Sequence, residues 1–328
     1  MNAPEQRLLQ VRVAAKTPVA ASVCRFDLVS LDGSALPAFS AGAHVDVHLG
    51  NDGAVVRQYS LCNPPGETHR YQIGVLRDAA SRGGSATLHD QVHEGQVLTI
   101  GAPRNHFPLV AGARRSLLLA GGIGITPLLA MAAQLSADGE DFALHVAARS
   151  RAQAPFAAQL TAAPYAERVH LHLDDGPAEQ RLDLPALLAA PAAGTHLYVC
   201  GPQGFMEAVL ATARAQGWPE TQLHWEFFAN AAATAPRDSD EAFEVELARS
   251  GQVVAVPRGQ SIVQALTAAG VSVMTSCEQG VCGTCLTRVT AGVPDHRDAY
   301  LTPDEQAAND QVLLCCSRAR TARLVLDL

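Results

Sequence analysis

Ser276-Cys277-Glu278-Gln279-Gly280-Val281-Cys282-Gly283-Thr284-Cys285 is the stretch that decides how this 328-residue chain is read. Its cysteines follow a C-x4-C-x2-C spacing, and a further one, Cys315, comes after residues 286–314. That is the ligand spacing of a plant-type [2Fe-2S] cluster. Three thiolates so close in sequence converge on two irons only if the backbone wraps tightly around the sulfides. Gly280 and Gly283 permit the wrapping, because they lack a Cβ and accept positive φ. Amide N–H groups turned inward then stabilise an anionic cluster. The competing reading, a structural zinc site, favours paired short knuckles, whereas here one cysteine stands alone downstream. Cys316 adjoins Cys315, and spacing leaves open which of the two ligates. A cluster moves single electrons, so the rest of the chain should supply them.

The length suits two or three domains. A net charge of −8 gives no electrostatic footprint for nucleic acid or for an anionic membrane surface. The first ten residues are mostly polar, unlike a signal peptide, and no apolar run reaches membrane-spanning length. Of the eight cysteines, Cys24, Cys62 and Cys200 are scattered singly. Reduced thiols of a cytoplasmic protein fit this better than a disulfide framework.

Upstream, the first hundred residues alternate short apolar segments (9–13, 44–49, 71–76, 97–100) with Gly, Pro and Asn/Asp turns, the pattern of an antiparallel β-barrel. From Ser116 onward, apolar runs at 117–120, 143–147, 169–173 and 197–200 alternate with alanine-rich helical stretches, the rhythm of a parallel sheet covered on both faces. Residues 229–240 are rich in Ala, Thr, Pro and Asp without apolar periodicity, as in an exposed linker. Strands at 243–247 and 253–256 and a helix at 262–269 then lead to the cysteine loop. The expected domains are 1–108, 109–230 and 241–328, with 231–240 as linker.

Two glycine turns follow strand-like runs. Gly121-Gly122-Ile123-Gly124-Ile125-Thr126-Pro127 joins a strand to an apolar helix, with Thr126 suited to the N-cap and Pro127 to the first helical position. Tyr198-Val199-Cys200-Gly201-Pro202 ends a second strand at a turn. Backbone approaching a pyrophosphate at a helix N-terminus is the use such turns have, although a plain strand–helix connection reads much the same. Asp174, with Asp175, follows the run at 169–173, where a carboxylate would accept from a ribose hydroxyl and repel a 2′-phosphate. That favours NADH, the alternative being a solvated turn.

A hydride donor and a one-electron cluster need an intermediary, and a flavin is the usual one. Arg57-Gln58-Tyr59-Ser60 sits in a strand-like context with a fixed guanidinium fork, a flat ring and a hydroxyl. Arg82-Gly83-Gly84-Ser85 then precedes a short helical segment and resembles a second phosphate cradle. Singly, Arg57 reads as a surface ion pair and Tyr59 as core; their order ahead of the nucleotide and cysteine loops favours the flavin.

In this order, the Arg57, Arg82, Gly121 and Cys200 motifs, the cysteine loop, Asp295-His296-Arg297-Asp298 and Cys316-Ser317-Arg318-Ala319 resemble the phthalate dioxygenase reductase family, to which vanillate demethylase reductases belong. The resemblance spans essentially the whole chain. It implies a six-stranded flavin barrel, an α/β nucleotide-binding domain and a C-terminal β-grasp ferredoxin. It implies FMN, with Arg57 and the Gly83–Ser85 turn on its phosphate and Ser60 near its redox-active edge. It selects Cys315 over Cys316. It places Ser60, Thr126 and Phe228 at the hydride-transfer centre. Phe227 stays an alternative to Phe228, because the residues flanking the aromatic depart from the family string.

The expected activity is electron transfer from NADH through FMN and the [2Fe-2S] cluster to a Rieske-type terminal oxygenase, by a chain that works as a monomer. Docking should surround the cluster loop, Glu278 and Arg297 included. A haem oxygenase or ferric iron as acceptor, or a non-catalytic redox sensor, are the alternatives. The chain itself should oxygenate nothing, having no C-x-H Rieske pairing.

Overall fold

The computed structural model describes residues 7–50, 55–78, 83–189, 191–228 and 231–328, and the chain divides into two compact units, residues 1–228 and 229–328. The first unit opens with β1 (Leu8–Ala20), β2 (Val23–Ser30), β3 (Ala43–Leu49), β4 (Val55–Ser60), β5 (Tyr71–Leu76), helix α1 (Gly84–Asp90), β6 (Val97–Gly101) and the short β7 (Arg104–Asn105). Pairing is antiparallel in the order β4-β3-β6-β1-β2-β5, with β7 added beside β3. A bridge between Leu61 and Ile73 brings the end of β4 to β5, so the two ends of the sheet meet. The strands form because alternate residues are apolar: Val11 and Val13 are buried while Arg12 between them is exposed. The interior they share holds Phe26, Leu28, Val45, Val47, Ile73 and Ile100.

β8 (Arg115–Gly121), α2 (Ile125–Ala137), β9 (Phe142–Ala148), α3 (Ala157–Thr161), β10 (Val169–Leu173), α4 (Leu184–Leu187), β11 (Thr195–Cys200), α5 (Gln203–Ala215) and β12 (Leu223–Glu226) follow. The sheet is wholly parallel, in the order β10-β9-β8-β11-β12. Its central strands are continuous apolar runs because both faces are covered. Leu118 and Ala120 face Leu128 and Met131 of α2, while Leu119 and Val199 pack with Met206 and Val209 of α5. The buried residues of α5, Met206, Val209, Leu210 and Ala213, keep one helical face. Ala41, Cys62 and Phe107, all ahead of β8, join the core on the α2 side, so barrel and sheet share buried surface. Each such fully buried large side chain contributes about 1.5–3 kcal/mol.

One boundary differs from the sequence expectation. The glycine turn tightens into a 3-10 turn over Gly122–Gly124 that runs straight into α2, so Gly124 holds the cap position. Thr126 and Pro127 lie inside the first turn, where an absent proline N–H leaves no bond unmade.

The second unit contains α6 (Ala231–Thr234), β13 (Phe243–Leu247), β14 (Val253–Val256), α7 (Ile262–Ala268), β15 (Leu286–Ala291), β16 (Pro294–Asp295), α8 (Pro303–Ala308), β17 (Gln311–Leu313), β18 (Arg318–Ala319) and β19 (Arg323–Leu326). Five strands form a mixed sheet, β14-β13-β19-β15-β17, with β13 and β19 parallel. Ser261 and Gln264 form a capping box on α7, which buries Ile262, Ala265 and Leu266 against that sheet as in a β-grasp fold. The segment expected as an open linker is only partly so. Four of its residues, Ala231–Thr234, are helical, and Asp240 at its end is buried because arginines neutralise it.

Candidate functional site

In the parallel sheet, connections run outward in opposite directions from β8 and β11, and the crevice where strand order reverses is where open α/β sheets bind ligands. Both glycine turns sit there. A Cβ on Gly124 would collide with the Cys200 carbonyl, and one on Gly201 would lie 2.9 Å from the Cα of Gly121. The loops can therefore lie side by side only as glycine. Pro202 is exposed at the start of α5, and Phe205 packs beneath Gly121 and Gly201. The Thr126 hydroxyl donates to the Ile123 carbonyl at 3.1 Å, and its methyl presses on Gly74 of β5, where a Cβ would sit 2.6 Å away. Thr126 is thus a buried joint between sheet and barrel. Asp174 is exposed after β10, its N–H bonded to the Ala148 carbonyl.

Four candidates lie on β4. Alternation along the strand gives Arg57 and Tyr59 one face and Gln58 and Ser60 the other. Arg57 reaches the start of α1: a Cβ on Gly84 would be 2.5 Å from its Cγ. Gly83 caps that helix with φ +92, and Ser85 Oγ accepts the Asp78 N–H at 3.2 Å. A guanidinium beside the first turn of a helix places donors where a phosphate can be held. Arg82 lies outside the described residues. Gln58 Nε2 is buried without a hydrogen-bond partner among the described residues, a donor that a bound flavin's oxygens or nitrogens would satisfy. Burial pushes the Tyr59 phenol well up.

Sequence reasoning missed two residues. Glu226 ends β12 beside Cys200, and its carboxyl accepts from the Ser60 hydroxyl at 3.3 Å. Burial of the carboxyl raises its pKa to about 8, the Ser60 bond opposing the shift. The residue as a whole keeps intermediate exposure, so its carboxyl end is the enclosed part. The signal was available: an acid between aromatics at the carboxyl end of a strand. Lys16 of β1 left none. Its ammonium donates to the Leu88, His89 and Val92 carbonyls and so pins the far end of α1. Phe227 packs against the sheet core, whereas Phe228 is 37% exposed.

In the second unit, the Cys277 thiol lies within hydrogen-bond reach of Cys282 and Cys315, and Cys285 within reach of Cys315. Cys282, Cys285 and Cys315 are buried, and Cys277 is the more exposed. Cys316 touches Cys315 and otherwise faces the Leu313 carbonyl and Ser317. Gln279 and Val281 N–H groups donate to the Cys277 sulfur at 3.3 and 3.5 Å, and the Leu314 N–H donates to the Cys285 carbonyl at 3.4 Å. Glu278, Gly280 and Gly283 all have positive φ, which turns these amides inward. Among the described residues no group of three His, Cys, Asp or Glu is gathered to hold a single metal ion. Four linked thiols ringed by amide donors match an anionic binuclear cluster, whose ligands spread over two irons. Arg297, expected at a docking surface, has a side chain only 6% exposed and bound to Asp240 and Asp295, so it faces no partner.

Comparison with known proteins agrees with this geometry. Residues 245–320 match the 2Fe-2S iron-sulfur cluster binding domain, and residues 102–223 the N-terminal domain of dimethylamine monooxygenase subunit DmmA-like proteins. A vanillate O-demethylase oxidoreductase of Pseudomonas putida is 54% identical over 98% of this chain and 100% of its own length. The structure of phthalate dioxygenase reductase, described as modular for electron transfer from pyridine nucleotides to [2Fe-2S], superposes with a TM-score of 0.74 at 38% identity, covering 98% of each chain. An intact type IV self-sufficient cytochrome P450 monooxygenase superposes with a TM-score of 0.84 at 39% identity, over 98% of this chain and 41% of that longer one. Barrel, parallel sheet and cluster unit thus recur in one order along whole chains, and this chain belongs to the phthalate dioxygenase reductase family of oxygenase reductase components, together with the vanillate O-demethylase oxidoreductases.

Proposed function

We propose that this chain oxidises NADH and delivers its electrons one at a time to a Rieske-type oxygenase acting on an aromatic compound, with a vanillate-type O-demethylase as first choice and a ring dioxygenase as second. The observation that carries the reading is the convergence of four thiols in a chain whose other unit presents two glycine loops at a sheet's switch point. FMN, when bound, turns the two-electron hydride into single electrons, which a [2Fe-2S] cluster on Cys277, Cys282, Cys285 and Cys315 carries.

The protein's own part is binding, orientation and proton storage. Arg57 and the first turn of α1 hold the FMN phosphate. The Gly121–Gly124 and Cys200–Pro202 backbone receives the NADH pyrophosphate, and Asp174 disfavours a 2′-phosphate. Ser60 and Glu226 meet between barrel and sheet, where burial keeps the carboxyl protonated at neutral pH while it accepts from the Ser60 hydroxyl. Phe228 offers its ring face. No nucleophile is required, and rate comes from holding the reacting rings in register. The division into domains 1–108, 109–230 and 241–328, a monomeric state and a cytoplasmic location are part of the same proposal. No helix among the described residues is long and apolar enough to cross a membrane.

Anaerobic titration with NADH tests the reading: flavin and cluster absorption should both bleach. A cluster without flavin, or a flavin indifferent to NADH, rules it out. The likeness to a self-sufficient P450 favours a haem acceptor as second reading. The rates at which the reduced chain reduces a vanillate O-demethylase oxygenase and a P450 haem domain separate the two.

A further inference from the structure

The stretch Asp295-His296-Arg297-Asp298 carries none of the four thiols, yet it joins two places in the second unit. On one side, the Arg297 guanidinium grips both carboxylate oxygens of Asp240 and also Asp295. Asp240 ends the segment that leads into the unit, and its side chain is 2% exposed. Its Oδ2 accepts the Arg237 N–H at 3.1 Å, closing a turn. Arg318 stands 3.9 Å from the same carboxylate and ties the carbonyls of Gln260, Glu241 and Pro257 together. On the other side, the Arg297 N–H donates to Ser317 Oγ, two residues after Cys315. Asp298 Oδ2 accepts the Leu301 N–H at 2.8 Å, and the Ala299 N–H donates to the Gly280 carbonyl at 3.0 Å. Gly280 lies between Cys277 and Cys282, and a Cβ on it would lie 2.5 Å from Cys316 Sγ and 3.0 Å from the Asp298 Cα.

Charges taken out of water this far are costly unless paired, and well-packed apolar residues would stabilise the unit as well. What an Arg gripped by two carboxylates adds is a fixed register. We propose that Asp240 and Arg297 are positioning residues: their ion pair fixes where the interdomain segment is fastened relative to the cluster loop, and thereby sets the rate at which electrons pass from flavin to cluster. The proposal rests on the electron-transfer reading above. Each NADH oxidised gives up two electrons with its hydride, and the cluster takes them one at a time.

The test uses the full holoprotein with Asp240→Asn and with the charge-keeping Asp240→Glu. Four quantities are read: cluster content from visible absorbance, amide exchange over 237–243, flavin reduction by NADH, and cluster reduction in anaerobic stopped flow. Asp240→Asn should keep its cluster and its flavin-reduction rate, exchange faster over 237–243, and reduce the cluster more slowly by about tenfold or more. Asp240→Glu, which keeps a carboxylate facing Arg297 and Arg318, should retain protection and part of the rate. An unchanged cluster-reduction rate overturns the proposal, as does unchanged exchange. Loss of the cluster itself assigns the pair a purely structural role and overturns it too. If the wild-type flavin ignores NADH, the functional reading falls and the proposal with it; a normal wild type matched by its variant removes the tether alone.

Discussion

Glu226 shows what a single residue adds to a site otherwise built from backbone. Its carboxyl holds a proton in the folded protein up to about pH 8, whereas an unfolded glutamate releases it in the ordinary carboxylate range. A raised folded pKa means extra proton binding by the native state. The stabilising contribution is therefore complete below the ordinary carboxylate range and is lost as pH rises toward 8. Relative to wild type, Glu226→Gln should gain thermal stability as pH rises through that window and lose nothing at its acid end, as a melting series would record. The same substitution should flatten the alkaline limb of the NADH-to-flavin rate profile, and Ser60→Ala should lower that rate by about tenfold or more. At the cluster, Cys315→Ser should abolish the iron–sulfur absorbance while Cys316→Ser retains it, because only Cys315 reaches the loop cysteines.

At the scale of elements, close approach decides what each turn tolerates. Gly84→Ala crowds the Arg57 side chain from its Cγ outward, so the guanidinium must move and FMN affinity should fall by about tenfold, measured by flavin fluorescence on release. Gly124→Ala meets the backbone carbonyl of Cys200, which cannot step aside, and should lower stability by about 1–3 kcal/mol in urea denaturation. Elements whose pattern is local were legible in the sequence. The runs at 71–76, 169–173, 243–247 and 253–256 are strands over those residues because alternation or full burial specifies them without help from distant residues. The start of α2 was not, since a glycine turn that winds into a 3-10 helix has no signature distinct from one that stops at a cap. Lys16 gave no signal at all, and for Glu226, marked by its place between aromatics, only the partner was hidden. Their roles come from partners far along the chain, Ser60 for one and the end of α1 for the other. Asp240 likewise reads as a linker acid until Arg297 is seen around it.

The whole molecule separates hydride chemistry from single-electron chemistry into two compact units. In the second unit, Asp240 is held at a pKa of about 2, chiefly by its hydrogen bonds from Arg297. A depressed folded pKa gives stability that is present above the ordinary carboxylate range and lost as pH falls through about 2. Two units with separate cores need not melt together. Calorimetry on Asp240→Asn should therefore lower the transition of the cluster unit at neutral pH, leave the other in place, and bring the two proteins together at the acid end. Function divides along the same line. Cys282→Ser removes a buried thiol on the loop and no residue of the first unit, so FMN and NADH should still bind. Ferricyanide, which takes electrons directly from a flavin, should then be reduced at close to the wild-type rate, two equivalents per NADH. Cytochrome c reduction, if it runs through the cluster, should fall by about tenfold or more, because the one-electron exit is gone. Equal loss of both activities would mean that the first unit depends on the cluster unit for its own chemistry.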